Sequence, residues 1–275
     1  MSRIQNILEK AERDGAVRRM RSLTEPGANV GLDAADVAPP PAVDVDDPAG
    51  AGMPATPSIR TAHTQLDRVL VAALAPGAFA AEQYRALRTR VAHSDHGGAV
   101  DVILITSPGR GEGKSLTAAN LALTMGQDFQ SRICLVDADL RQSAQHRLFG
   151  VSDMPGLADV LSGHAQLHEG LVALEDQPLT LLPAGRIPAH PAELLGSTAM
   201  RRTLQTLRSQ FDRVIIDAPS ATPLADVGIL TPLVDSVVLV VHAGTTTKPA
   251  IQEAVNAIGP SKLLGVVLNA AAAAA

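Results

Sequence analysis

The sequence predicts an α/β fold built on a doubly wound, mainly parallel sheet, with a disordered N-terminal extension. Three observations carry this. Beyond residue 65, short continuously apolar runs alternate with stretches of helical period. Strands covered by helices on both faces lose the apolar–polar alternation of half-exposed strands, and alternating strands and helices are the mark of a parallel sheet. One apolar run opens into a glycine-rich turn that leads directly into a helical stretch, and two others end in aspartates. In doubly wound sheets the carboxyl ends of the strands are where ligands bind.

In chain order, residues 1–23 form a first unit. Ile4, Ile7, Leu8 and Ala11 recur at helical spacing, with Glu9, Lys10, Glu12 and Arg13 on other faces and Arg18, Arg19 and Arg21 following. This is an amphipathic helix, read either as a solvated helix or as one that docks on a partner or near acidic lipid. Residues 24–64 are a linker. Up to about residue 58 it is rich in Pro, Ala, Gly and Asp, including Pro39-Pro40-Pro41, and buries too little apolar surface to offset its ordering entropy. Residues 65–275 form the globular domain. Its predicted strands are 100–106, 132–136, 179–182, 213–216, 236–241 and 264–268; its predicted helices are 80–93, 114–127, 191–209, 223–233 and 247–258.

Bulk properties narrow the function. The chain has 275 residues, 46% apolar but only 2% aromatic, so the core must be built from Val, Leu, Ile and Ala. A formal charge of −5 argues against a duplex nucleic-acid binder. The single cysteine, Cys134, lies within an apolar run and reads as a core residue of a protein from a reducing compartment. No apolar run reaches the roughly 20 residues that span a bilayer, and the N-terminus does not read as a signal peptide.

The chemistry lies in three segments. The apolar run Val102-Ile103-Leu104-Ile105-Thr106 passes into Ser107-Pro108-Gly109-Arg110-Gly111-Glu112-Gly113-Lys114-Ser115 and then into the helix beginning near Leu116. Strand, glycine-rich turn and helix start are the context of a P-loop. Glycines let successive backbone N–H groups curl around a phosphate, and the helix N-terminus points its positive end at it. Lys114 would reach the β- and γ-phosphates of ATP, and the Ser115 hydroxyl would ligate Mg²⁺. Pro108 departs from the strict G-x-x-x-x-G-K-S/T pattern, which has glycine there. Ile133-Cys134-Leu135-Val136 ends in Asp137-Ala138-Asp139-Leu140-Arg141, and Val214-Ile215-Ile216 ends in Asp217-Ala218-Pro219. Grouped carboxylates at strand ends are costly without a cation nearby. Oxygen ligands shared with phosphate suit Mg²⁺, and one aspartate can serve as base while the metal neutralises charge.

These residues resemble the bacterial tyrosine kinases of capsule and exopolysaccharide synthesis, over about residues 66–269. Residues 106–115 are similar to the family's variant Walker A, which often has proline where Arg110 stands. Residues 135–141 resemble its D-x-D-x-R motif, and residues 214–219 its Walker B, which commonly has a second proline at the position of Ser220. Glu82, Arg85 and Arg88 match an E-x-x-R-x-x-R helix; they share one helical face, and the resemblance implies contacts with the next subunit of a ring. The segments around Gly185, His190–Leu195 and Gly265–Asn269 are further landmarks. The resemblance implies an ATP-dependent protein-tyrosine kinase with Gly109, Arg110, Gly111, Glu112, Gly113, Lys114, Ser115 and Leu116 around the nucleotide and Asn269 near adenine. Ser115, Asp139 and Asp217 would hold the metal, and Lys114, Asp137 and Asp139 would be catalytic, Asp137 as candidate base. It also implies a cytoplasmic protein held at the inner membrane by a membrane-embedded chain-length determinant (a co-polymerase). The family's C-terminal tyrosine cluster has no counterpart here: the sequence ends in six alanines and contains one tyrosine, Tyr84.

Two other readings stay open. A partition or septum-site ATPase would share the fold, but such proteins carry a signature lysine where Gly109 stands and lack the Glu82/Arg85/Arg88 helix. An ATP-binding adaptor without kinase activity is the other. His164 and His168 have zinc-like spacing but no third ligand nearby, and read as a solvated helix end.

Overall fold

The computed structural model describes residues 59–93, 101–128, 131–222 and 225–271. The expected N-terminal helix, and the linker up to residue 58, lie outside the described residues. The chain runs β1 Arg60–Ala62, α1 Val71–Leu74, α2 Phe79–Ala92, β2 Val102–Thr106, α3 Lys114–Gly126, β3 Ile133–Asp137, α4 Gln145–Phe149, α5 Leu157–Leu161 and α6 Leu167–Gly170. It continues through β4 Val172–Leu174, β5 Thr180–Leu182, α7 Pro191–Leu195, α8 Thr198–Gln210, β6 Arg213–Asp217, α9 Asp226–Leu230, β7 Ser236–His242, α10 Lys248–Ile258 and β8 Leu263–Asn269.

Among the described residues one eight-stranded sheet has the order β1-β4-β5-β3-β6-β2-β7-β8. Every pair is parallel except β4 with β5. All the strands predicted from apolar runs are present, in a mainly parallel sheet with helices on both faces. Alternate residues of one strand feed two separate cores, as the pleat requires. Val102, Leu104, Val136, Val214 and Ile216 pack with α5, α7, α8 and α9 on one face. Ile103, Ile105, Leu135, Ile215 and Val240 pack with α1 and α3 on the other. Cys134 is buried in the first of these, and burial raises its thiol pKa, as expected of a core residue.

Several details correct the sequence expectations. Arg60–Ala62 falls inside the expected linker, yet pairs with Val172–Leu174 as an edge strand. The Glu175 N–H donates to the Ala62 carbonyl (3.0 Å), and Gln65 N–H to Phe149 O (3.0 Å), so the ordered domain starts before residue 65. A three-residue strand is too short for a hydrophobic period to reveal. The helix expected over 191–209 divides at Gly196 and Ser197, where the Ser197 hydroxyl accepts from the Met200 N–H and caps α8. The helix expected over 223–233 is α9 followed by a 3₁₀ turn, Thr231–Leu233, that contains Pro232.

The N-terminal end of β2 is clamped. Asp235, just before β7, accepts from the backbone N–H of Asp101 (3.0 Å) and Val102 (2.8 Å) and from both terminal nitrogens of Arg208 on α8 (2.9 and 2.8 Å). Burial opposes the Asp235 charge, but Arg208 and the two N–H groups outweigh it and hold the carboxyl below its ordinary range. The stabilisation is therefore present above the ordinary carboxylate pKa and lost as pH falls through the lower folded value. Asp235→Ala is expected to cost about 2 kcal/mol at neutral pH, an amount already reduced for partial exposure. Urea unfolding should show that difference shrinking at about pH 3; an equal loss at both pH values would contradict the charge-based account.

Candidate active site

The site lies at the carboxyl ends of β2, β3 and β6. Register decides its composition: Ile105 pairs with Asp217, and Asp137 with Asp217. The β3 and β6 carboxylates are therefore direct neighbours, and the turn after β2 sits beside them. Residues 107–113 connect β2 to α3, with Gly111 and Gly113 at φ of 75° and 94°. L-residues with side chains seldom adopt such values. The turn is laced to the segment after β6. Ala221 N–H donates to Ser107 O (2.8 Å), and the Thr222 hydroxyl (2.9 Å) and N–H (3.3 Å) both donate to Pro108 O. Pro108, the departure from the strict motif, supplies a carbonyl here, and its missing N–H is not needed.

Lys114 opens α3 and bends into the carboxylates. Its Nζ donates to Asp139 Oδ2 (2.8 Å) and Ser115 Oγ (3.2 Å) and stands 3.8 Å from Asp217 Oδ1. Asp137 is fully buried; Oδ2 accepts from the Ala144 and Gln145 N–H groups (both 2.9 Å), and Oδ1 from the Asp139 N–H (3.2 Å). Asp217 is also fully buried, with Oδ2 accepting from Gln145 Nε2 (2.8 Å) and Oδ1 without a hydrogen-bond partner.

Charge follows from this placement. Burial opposes the Lys114 charge, but Asp217 and Asp139 outweigh it and raise its pKa. Burial and the Asp217 charge push the Asp137 carboxyl well above the carboxylate range, against the pull of the Gln145 and Ala144 N–H groups. Burial also raises Asp217, opposed by Lys114, Ser115 and Gln145. Three carboxylates thus share one ammonium, and a bare buried acceptor remains on Asp217. That donor set fits a divalent cation. Among the described residues no three His, Cys, Asp or Glu side chains form a metal cage, and Mg²⁺ characteristically takes one or two carboxylates and completes its shell with phosphate oxygens and water.

A cleft of 510 Å³ opens over the cluster, lined by Arg110, Gly111, Lys114, Ser115, Asp139 and Arg141 among others. Gly109, Glu112, Gly113 and Leu116 belong to the same turn and first helical turn but do not line it. Leu116 packs against the α3-side core, and Asp137 lies behind Asp139. Asn269, at the end of β8, donates its amide to Glu112 O (2.9 Å), and the Thr246 hydroxyl donates to Glu112 Oε1 (2.7 Å). These two bonds brace the turn from behind. Glu82 and Arg85 pair with each other on α2, and Arg88 donates to Thr124 O (2.9 Å) at the end of α3. His164 precedes α6 and His168 lies within it, where the Gln166 N–H donates to Glu169 Oε2 (2.6 Å), and no third ligand joins them among the described residues.

Sequence reasoning missed Gln145, Thr246 and Asp226. Asp226, fully buried at the start of α9, takes Arg141 in a two-pronged ion pair (2.8 and 3.2 Å). The D-x-D-x-R spacing marked Arg141, but its partner lies 85 residues away. No local pattern marks Gln145 or Thr246 either.

A parallel sheet whose strand-end carboxylates meet a G-E-G-K-S turn at a helix N-terminus defines a P-loop nucleotide-dependent protein. The comparisons make the class specific, although no protein-family model matches the chain. It is 35% identical over 208 residues to the tyrosine-protein kinase YwqD of Bacillus subtilis, covering 75% of this chain and 87% of that protein. Against EpsB of Ralstonia solanacearum it is 34% identical, over 69% of this chain but 25% of that longer protein. The solved chimerical protein CapA2B2 superposes with a TM-score of 0.70 at 30% identity, covering 77% of this chain and 93% of that one. The kinase domain of the Escherichia coli tyrosine kinase ETK gives 0.69 at 26%, covering 75% and 83%. The chain belongs to the bacterial tyrosine-protein kinases of capsule and exopolysaccharide systems. The cell division ATPase MinD of Pyrococcus furiosus, at 23% identity, a TM-score of 0.52 and coverage of 61% and 71%, shares the fold alone.

The bracing of the turn is testable. A Cβ on Gly113 would fall 2.1 Å from Asn269 Nδ2, at a φ of 94°. Gly113→Ala should cost about 1–2 kcal/mol from the backbone, plus about 1 kcal/mol for the displaced Asn269–Glu112 bond. In an Asn269→Ala background only the backbone part should remain. A thermal-unfolding double-mutant cycle reads the difference; equal costs in both backgrounds would exclude the contact.

Proposed function

We propose that the cleft binds Mg·ATP and transfers its γ-phosphoryl group to the hydroxyl of a protein tyrosine, regulating polysaccharide chain length and export. The observation that carries this is Lys114 Nζ at the start of α3, 2.8 Å from Asp139 and 3.8 Å from Asp217. Arrival of a triphosphate gives the ammonium a further anionic partner, and Lys114 turns to the β- and γ-phosphates. Backbone N–H groups of residues 109–115 and the α3 N-terminus stabilise the phosphate charge. Ser115, Asp139 and Asp217 would hold Mg²⁺, which neutralises charge developing on the phosphate oxygens. Asn269, already braced against Glu112, keeps an amide hydrogen and a carbonyl for the adenine edge.

In the transfer, the tyrosine oxygen forms a bond to the γ-phosphorus, the bond from that phosphorus to the β,γ-bridging oxygen breaks, and ADP leaves. The hydroxyl proton goes to a carboxylate. Asp137 is the candidate base, its proton affinity raised by burial and by the Asp217 charge. Its Oδ1 accepts one hydrogen bond of 3.2 Å, which leaves a lone pair for the incoming proton. Glu82, Arg85 and Arg88 are the candidate contacts of a ring of subunits, the Glu82–Arg85 pair being exposed and able to exchange partners. Among the described residues no helix is long and apolar enough to cross a membrane. The family resemblance supports a cytoplasmic location, with the inner membrane reached through a membrane-embedded chain-length determinant.

Lys114→Met and Asp137→Asn are each expected to lower phosphotyrosine formation by about 10²-fold or more. With Asp137→Asn, nucleotide affinity should stay near wild type. Labelled ATP, a tyrosine-bearing acceptor and the cytoplasmic segment of a co-encoded membrane protein provide the assay. Full transfer by Asp137→Asn with none by Asp139→Asn would move the base to Asp139. Nucleotide bound by the wild type but never transferred would favour the adaptor reading.

A further inference from the structure

Gln145 stands outside every motif of the sequence, yet it touches all three segments of the site. It is the first residue of α4 and is fully buried. Its Nε2 donates to the Ser115 carbonyl (3.0 Å) and to Asp217 Oδ2 (2.8 Å), and its backbone N–H donates to Asp137 Oδ2 (2.9 Å). The side-chain nitrogen therefore links the first turn of α3 to the end of β6, and the backbone nitrogen adds the end of β3. Both side-chain partners are acceptors, which fixes the amide orientation: exchanging nitrogen and oxygen would set a lone pair against a carbonyl and a carboxylate. A neutral group with two hydrogens on one atom is what this position demands. A hydroxyl offers one hydrogen, and an ammonium adds a charge.

The same orientation turns Oε1 away from those partners. Oε1 of Gln145 and Oδ1 of Asp217 are both buried without a hydrogen-bond partner. Buried acceptors are ordinarily satisfied, and these two belong to side chains already bonded to each other. Water molecules held by a cation are strong donors, and outer-shell groups of this kind orient a metal's ligands and tune its affinity.

We propose that Gln145 is a positioning residue for the metal-dependent part of nucleotide binding: its amide ties the Ser115 carbonyl to the Asp217 carboxylate and sets the spacing of the two motif residues that would hold Mg²⁺. This rests on the Mg·ATP reading of the site. A merely structural glutamine would affect folding and all ligands alike, whereas a positioning residue affects the gain in affinity that the metal brings.

The test is calorimetric titration of the full chain with ADP, once with Mg²⁺ and once with EDTA. Gln145→Met keeps the length of the side chain and removes both hydrogens. The tightening of ADP by Mg²⁺ is expected to fall about 10- to 100-fold relative to wild type, with the metal-free Kd within about twofold. Gln145→Asn, one methylene too short to reach both partners, should behave in the same way and serves if the methionine variant does not fold. An unchanged Mg²⁺ effect, an equal weakening with and without metal, or failure of both variants to fold would each overturn the assignment. A wild-type protein whose ADP affinity ignores Mg²⁺ would instead sink the Mg·ATP reading itself.

Discussion

The register between β3 and β6 places Asp137 directly opposite Asp217, where neither side chain reaches water. Two carboxylates so close and so buried cannot both carry charge unless something positive stands beside them. The architecture supplies it from the third strand: β2 lies next to β6, and the turn it feeds returns Lys114 over the pair. The loop conformation, the buried glutamine and the backbone donors of the 139–145 turn all serve that electrostatic problem. It is also why the same cluster suits a polyanionic ligand accompanied by a cation.

Much of this was legible before any coordinates. Continuous apolar runs identified the buried strands, because a strand sandwiched between helices has no polar face to show. Asp137, Asp139 and Asp217 stand at or just past strand ends, and Gly113-Lys114-Ser115 stands where a glycine-rich turn opens a helix, positions that sequence order marks. What stayed hidden has two physical origins. Arg60–Ala62, Val172–Leu174 and the helices of five residues or fewer are too short to display a period, and tertiary contact rather than local preference forms them. Gln145, Thr246 and Asp226 each bond a partner at least 72 positions away in the chain, and a lone polar residue at a helix start or in a turn looks like any solvated one.

The departure from the strict P-loop pattern is absorbed by a neighbour. Pro108 contributes only a carbonyl, and Thr222 takes it twice. The turn that follows is stiffened from the far side by Thr246 and Asn269, so two strands on one flank of the sheet, β7 and β8, fix the back of a loop whose front faces the cleft. Kinship with tyrosine-protein kinases and the shared fold of a cell division ATPase are therefore compatible. The fold fixes the phosphate-binding corner, and the side chains around the cleft decide what else enters it.

The sheet order has one more consequence, for how the chain acquires its shape. β2 and β3 are successive strands in this part of the chain, yet β6, arriving some eighty residues after β3, wedges between them. Until it does, each offers an unsatisfied flank to the other's missing neighbour, and neither acid-bearing end has its mate. Pairing across such separations is slow compared with forming local helices. A nascent chain halted before residue 213 would thus carry the glycine-rich turn on a frame not yet closed, with two sticky backbones open to any passing strand.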